Sequence, residues 1–303
     1  MVLVESAGVL GLAPAPWWFR GVVALVAALP YRALAPLGRF VGWLAGSVLR
    51  IRRAHVVAAM RRAEVADAQR TASRMYGSLG VGLMELLWLA GRPAEALDPL
   101  FSLDDEAAAA LKGALARGRG VVVATAHTGN WDLAACAAAR WLARERLAPS
   151  LTVVTKRLSN HALDRAWQRL RAERGVTLVD AGGATRAVAA SLASGGVVAL
   201  LVDQAPDAVT RHESSARFLG AVARHHLAPA MLAARAAAPI VMLFGHRDGR
   251  GLHRLSLGGT VAAEALHGGR PAHVAATERI AAALDAFVRA HPEQWLWLHR
   301  RWK

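Results

Sequence analysis

Residues 121–136 read VVVATAHTGNWDLAAC. An uncharged run rich in β-branched residues ends on His127, four residues follow, and Asp132 opens an amphipathic pattern. The turn signal ARGRG precedes the run at 116–120, so the stretch predicts a turn, a buried strand, a tight loop and a helix. The same texture continues outward. Helical patterns at 104–117, 131–146, 161–174, 184–194, 226–237 and 273–290 alternate with apolar strands at 151–156, 176–181, 197–203 and 239–247, the last followed by a partner, LHRLSLG, after the turn DGRG. Alternation at this spacing predicts an α/β fold whose central sheet is mostly parallel and flanked by helices.

The first hundred residues read as helices. GVVALVAALPY (21–31) lies between Arg20 and Arg32, and FVGWLAGSVL (40–49) between Arg39 and Arg50. Neither reaches the roughly 20 apolar residues of a spanning helix. With Trp17, Trp18 and Trp43 beside arginines whose stems can snorkel, they predict a segment lying in a membrane interface. The same runs also fit an ordinary amphipathic helix pair packed on a core. The expected division is residues 1–60 as an N-terminal interfacial helical segment and 61–303 as the α/β domain. MVLVESAG begins acidic, unlike a signal peptide.

Of the 303 residues 54% are apolar, the mean hydropathy is +0.27, and 37 basic against 22 acidic residues leave a net charge of +15. That excess points to an anionic partner: nucleic acid, an acidic carrier protein or a membrane surface. The single cysteine, Cys136, excludes an intrachain disulfide. A nucleic-acid role is disfavoured because no recognised module is present and aromatics are not spread through a basic stretch. His225–His226 lacks Cys, His or acid partners at metal spacing, so no metal is expected. There is no P-loop, no nucleophile elbow and no dinucleotide glycine fingerprint.

In AHTGNWD a strand-end histidine, a turn through Gly129 and Asn130, and an aspartate in the first helical turn can converge at the carboxyl end of a sheet, where α/β folds bind ligands. Asp132 could then hold one imidazole nitrogen and leave the other as a base. A helix start capped by Thr128 or Asn130, with an incidental histidine, fits the spacing as well.

Four stretches taken together resemble the bacterial lipid A biosynthesis acyltransferases, of the lysophospholipid acyltransferase-like superfamily. They are HTGNWD, TKRLSNHALDRAWQRLRAERG, VVALLVDQ with the later RFLG and LAPAMLAARAAAPIV, and the ending PEQWLWLHRRWK. The likeness spans about residues 18–303. It implies a glycerolphosphate acyltransferase-like α/β domain and a membrane-associated O-acyltransferase on the cytoplasmic face of the inner membrane. Acyl carrier protein or acyl-coenzyme A would be the donor, with no cofactor, and a hydroxyl of a lipid A precursor the acceptor. A lysophospholipid, glycolipid or amino-lipid acceptor would use the same chemistry. A monomer is expected. The resemblance makes His127 the general base, Asp132 its orienting partner and Asn130 a turn residue shaping the site. Arg171, or its neighbour Arg169, would hold a phosphate or offset oxyanion charge. Asp203 and Gln204 would face the same crevice, although a simple strand-terminating turn fits them too. The stretch APDAVTRHESSARFLG departs from the family's pattern, leaving the role of the 205–217 loop open. The tail's Trp295, Trp297 and Trp302, interleaved with His299, Arg300, Arg301 and Lys303, suit either anionic headgroups or a last core strand.

Overall fold

A computed structural model describes residues 17–155, 161–206 and 212–302, with side chains left out at 161–163. The first sixteen residues, Asn160 of the second motif block, the centre of the 205–217 loop and Lys303 lie outside the described residues.

The chain opens with helices α1 (Trp17–Ala27), α2 (Leu34–Trp43), α3 (Arg53–Arg62) and the long α4 (Ala68–Ala90). Then follow β1 (Phe101–Leu103), α5 (Asp105–Leu115), β2 (Val121–Thr125), α6 (Trp131–Arg144), β3 (Leu151–Thr155), α7 (His161–Ala172), β4 (Val176–Asp180), α8 (Ala184–Ala193) and β5 (Val197–Leu201). The hairpin β6 (Glu213–Phe218) and β7 (Ala221–His226), α9 (Ala228–Ala236), β8 (Ile240–Arg247), β9 (His253–Val261) and α10 (Gly269–Ala290) complete it. The seven-stranded sheet has the order β1-β9-β8-β2-β5-β3-β4, and only the β8–β9 pairing is antiparallel.

The central strands are apolar on both faces, as a sheet covered by helices on each side requires. Val122, Ala124, Val198 and Leu200 face a core shared with α3, α8, α9 and α10, whereas Val121, Val123, Val197 and Ala199 face α5, α6 and the distal half of α4. At roughly 25 cal/mol per Å² of apolar surface, these two layers are the main stabilising term.

Helix α2 lies on α4 at backbone contact. Gly38, Gly42 and Gly46 recur every four residues along one face, and a methyl group on Gly38 or Gly42 would overlap the α4 backbone. Gly80 of α4 answers from the other side. With its inner face taken by glycine, α2 turns Phe40 and Trp43 outward; on α1, Trp17 (84% exposed), Trp18 and Leu25 (70% exposed) also face solvent. Among the described residues no single helix is long and apolar enough to cross a membrane, although α1 and Tyr31–Val48 form a bent pair at 110°.

Two elements have no counterpart in the periodicity reading. Strand β1 is three residues long, too short for a pattern. The β6–β7 hairpin turns through Leu219 (φ 48°) and Gly220 (φ 82°), both left-handed, as a two-residue hairpin of this hand needs. A leucine there carries no turn signal.

Candidate active site

Strands β2 and β5 pair in register, Thr125 opposite Leu201, and His127 and Asp203 each lie two residues beyond those ends. The matched offset brings them together at the carboxyl edge of the sheet. His127 Nδ1 lies 2.9 Å from Asp203 Oδ1, and the His127 backbone N–H donates to Oδ2 at 3.1 Å. The Trp295 indole N–H donates to the same Oδ2 at 2.9 Å. Asp203 is fully buried, yet these donors and the nearby imidazoles outweigh its desolvation and hold it well below the usual carboxylate range. An ionised carboxylate only accepts, so Nδ1 carries a proton and, in the neutral imidazole, Nε2 keeps the lone pair. Burial alone would push His127 down. Asp203's charge and hydrogen bond, with the charge of Asp132, outweigh it and raise the imidazole above its ordinary value, against a smaller opposing effect of Arg171. The His127 side chain remains 15% exposed.

The orienting partner of His127 is therefore Asp203, and the expectation for Asp132 is corrected. Asp132 is buried in the first turn of α6, where Oδ1 accepts from Arg171 Nε at 2.7 Å and Oδ2 from the Trp167 indole N–H at 2.9 Å. The reason is geometric. A strand-end side chain meets its neighbour on the adjacent strand more directly than a residue that the intervening turn has carried onto a helix. The geometry also separates the two arginines. Arg171 is mostly buried against Asp132 beside the site, whereas Arg169 is half exposed and paired with Glu173 one helical turn on. Gln204 follows Asp203 in a bend and is half-buried.

The HTGN turn is gripped from three sides. A side chain on Gly129 (φ 57°) would meet Gly245 O at 2.9 Å. The Thr128 hydroxyl accepts from the Gly245 backbone N–H at 3.1 Å. Asn130 caps α6, its Oδ1 accepting from the Leu133 N–H at 3.2 Å, while its amide donates to Gly82 O and to Glu85 Oε2 at 3.2 and 3.0 Å. From the third side the tail clamps the backbone: Gly129 N–H donates to Gln294 O at 2.7 Å and Leu296 N–H to His127 O at 3.0 Å.

This settles the two readings of the tail. Trp295, Trp297 and Arg301 are buried, with the Trp297 indole on Pro292 O at 2.7 Å, so the final tryptophans belong to the core and not to an exposed headgroup surface. Half-buried Trp302 stacks near Phe218 with Arg62 over its ring.

The tail also delivers His299, whose ring centroid is 4.8 Å from that of His127. Burial and the charges of His127, Arg52 and Arg301 push it down to about 4 despite Asp203, so it is neutral near pH 7. The ligand atoms of His127, Asp203 and His299 fall within 4.8 Å of one another, a set that could hold a divalent cation. Sequence reading missed His299 as a neighbour, because no spacing links a tail to a turn 170 residues earlier. It also missed Glu85, although a lone acid in the apolar run MELLWLA was a visible signal.

Two elements of unlike origin, a strand-end histidine–aspartate pair and a tryptophan tail locking it, thus form one site that the four motif stretches share. The family described as bacterial lipid A biosynthesis acyltransferase matches residues 9–303, nearly the whole chain. The chain belongs to that family. It is accordingly an acyltransferase, and its seven-stranded α/β architecture is the fold expected from the resemblance. Among curated proteins no sequence matches it.

Proposed function

We propose that this acyltransferase moves a fatty acyl chain from a thioester donor, acyl carrier protein or acyl-coenzyme A, to a hydroxyl of a lipid A precursor. One observation carries the mechanism: the Nδ1 contact to buried Asp203 leaves His127 Nε2 as a base at the carboxyl edge of the sheet. Nε2 takes the hydroxyl proton as the oxygen attacks the thioester carbonyl. The tetrahedral intermediate collapses with cleavage of the C–S bond, and the imidazolium returns its proton to the departing thiolate. Asp203 stabilises the imidazolium and fixes its tautomer. Arg171, held by Asp132, lies where its charge can offset the oxyanion or hold a phosphate of the acceptor. A positioned histidine base contributes roughly 10²–10⁴-fold.

The apolar surface of α1 and α2, fringed by Arg20, Arg32, Arg39 and Arg50, supports a protein seated in the interface of the inner membrane on its cytoplasmic side. The +15 charge suits both an anionic lipid surface and an acidic carrier.

The test is His127→Ala in an acyl-transfer assay with acyl carrier protein and extracted lipid A precursor, folding being checked by circular dichroism. A rate reduced by at least a hundredfold is expected; a wild-type rate would exclude the base assignment. Running lysophospholipid and glycolipid acceptors in parallel identifies the acceptor, and transfer to one of them alone would overturn the lipid A precursor.

A further inference from the structure

Behind the HTGN turn lies a second polar cluster, built around a buried acid. Its centre is Glu85 of α4, 2% exposed. Oε1 accepts from the Tyr31 hydroxyl and from Arg247 Nε, each at 3.0 Å, and lies 3.2 Å from His253 Nε2. Oε2 accepts from Arg247 Nη2 at 2.8 Å and from the Asn130 amide at 3.0 Å. Arg247 also reaches the Ser78 hydroxyl at 3.2 Å. The charges of His253 and Arg247 and their hydrogen bonds overcome desolvation and keep Glu85 ionised.

Burying a carboxylate costs several kcal/mol unless it is fully partnered, so an acid at this depth calls for a reason beyond packing. Its partners supply one. Two routes run from Glu85 to the turn that carries His127. The first is direct: the Asn130 amide is fixed with its nitrogen toward Glu85 and its oxygen toward the α6 cap. The second passes through Arg247, whose backbone N–H and carbonyl are both held by the Gln294 side chain, at 2.6 and 2.8 Å, while Gln294 O takes the Gly129 N–H. A third arm leads away from the site. Tyr31 sits between α1 and α2, and α4 with the turn after it holds that same corner through the Trp88 indole on Leu29 O at 3.0 Å and Arg92 on Ala27 O at 2.9 Å.

We propose that Glu85 is the positioning residue of the catalytic turn, setting Asn130 and Gly129 against α4 and thereby fixing His127 relative to the α1–α2 hairpin. The proposal rests on the acyl-transfer reading for its kinetic test, but not for its structural one. A residue acting through another in this way changes turnover more than binding, because a displacement of about 1 Å at the base can cost on the order of a hundredfold.

The experiment compares wild type, Glu85→Gln and the charge-balanced pair Glu85→Gln/Arg247→Gln. Acyl-transfer kinetics are read beside thermal unfolding and the pH titration of the His127 imidazole by NMR. Expected in the single variant are a fall of about a hundredfold in kcat with KM within about twofold, and a shifted His127 titration. The pair is expected to recover the thermal midpoint but neither kcat nor the titration; it supplies the readout if the single variant does not fold. Wild-type kcat and an unshifted titration in either folded variant would overturn the proposal, as would a pair that recovers activity with stability, since Glu85 would then be only a charge partner. Absence of acyl transfer by wild type would count against the functional reading, and the titration would still test the positioning.

Discussion

At the amino end Trp17, Trp18 and Trp43 stand in solvent beside arginines; at the carboxyl end Trp295 and Trp297, also beside arginines, are sealed in the core with each indole N–H on a protein acceptor. WWFR and WLWLHRRW are similar in composition. Their backbones separate them. Helix α2 spends its inner face on glycine so that it can touch α4, which leaves its aromatics outside. The tail instead turns tightly at this point, the Trp297 N–H donating back to Trp295 O at 3.0 Å, and the two indoles enter the core together and stack edge to face at 4.7 Å. Composition marks both ends as suited to a membrane boundary, and only the inner-face partner decides which one is free for it.

That contrast can be broken most forcefully at Trp297. Trp297→Ala is expected to cost about 3–5 kcal/mol in denaturant unfolding, whereas Trp17→Ala changes stability by less than about 0.5 kcal/mol. Equal effects at the two ends would erase the distinction. Next in size is Trp295→Phe, which keeps the ring but removes a donor from buried Asp203. A loss of about 1–3 kcal/mol should accompany a slower acyl transfer, and stability loss without a rate change would detach the tail from the site. The complementary experiment is Trp17→Ala/Trp18→Ala in vesicle sedimentation with anionic lipid. Binding is expected to weaken about tenfold at unchanged thermal midpoint; unchanged binding would move the membrane contact elsewhere. The smallest effect belongs to Arg169→Ala, expected within about twofold of wild type because the half-exposed side chain pairs with Glu173 on the helix surface. Measurable loss there would reopen the choice between Arg169 and Arg171.

Most of the sheet was legible because strands 121–125, 151–155, 176–180, 197–201 and 240–247 are apolar runs bounded by glycine, charge or helical pattern. His127 was legible for the same reason, being the polar residue at the end of such a run. Its partner was not. A five-residue offset in one motif made Asp132 the local candidate, whereas Asp203 is adjacent only once β5 is known to lie beside β2 in register. Sequence separation hides the pair, although its two halves share one signature, a polar residue two places beyond an apolar strand. Glu85 and His299 were hidden more completely, since their partners come from α6, β8, β9 and the tail, and no local pattern encodes those contacts.

The decisive measurement is the pH dependence of acyl transfer in wild type, Asp203→Asn and Asp132→Asn. A base acts when neutral, and Asp203 raises the His127 pKa, so the wild-type rate should climb with an inflection above about 6.5. Asp203→Asn is expected to move that inflection down and reduce the plateau by about 10²–10⁴-fold, with a distinctly smaller change in both for Asp132→Asn. The reverse pattern, Asp203→Asn near wild type and Asp132→Asn collapsed, would contradict the proposed role of Asp203 as the partner of the His127 imidazole.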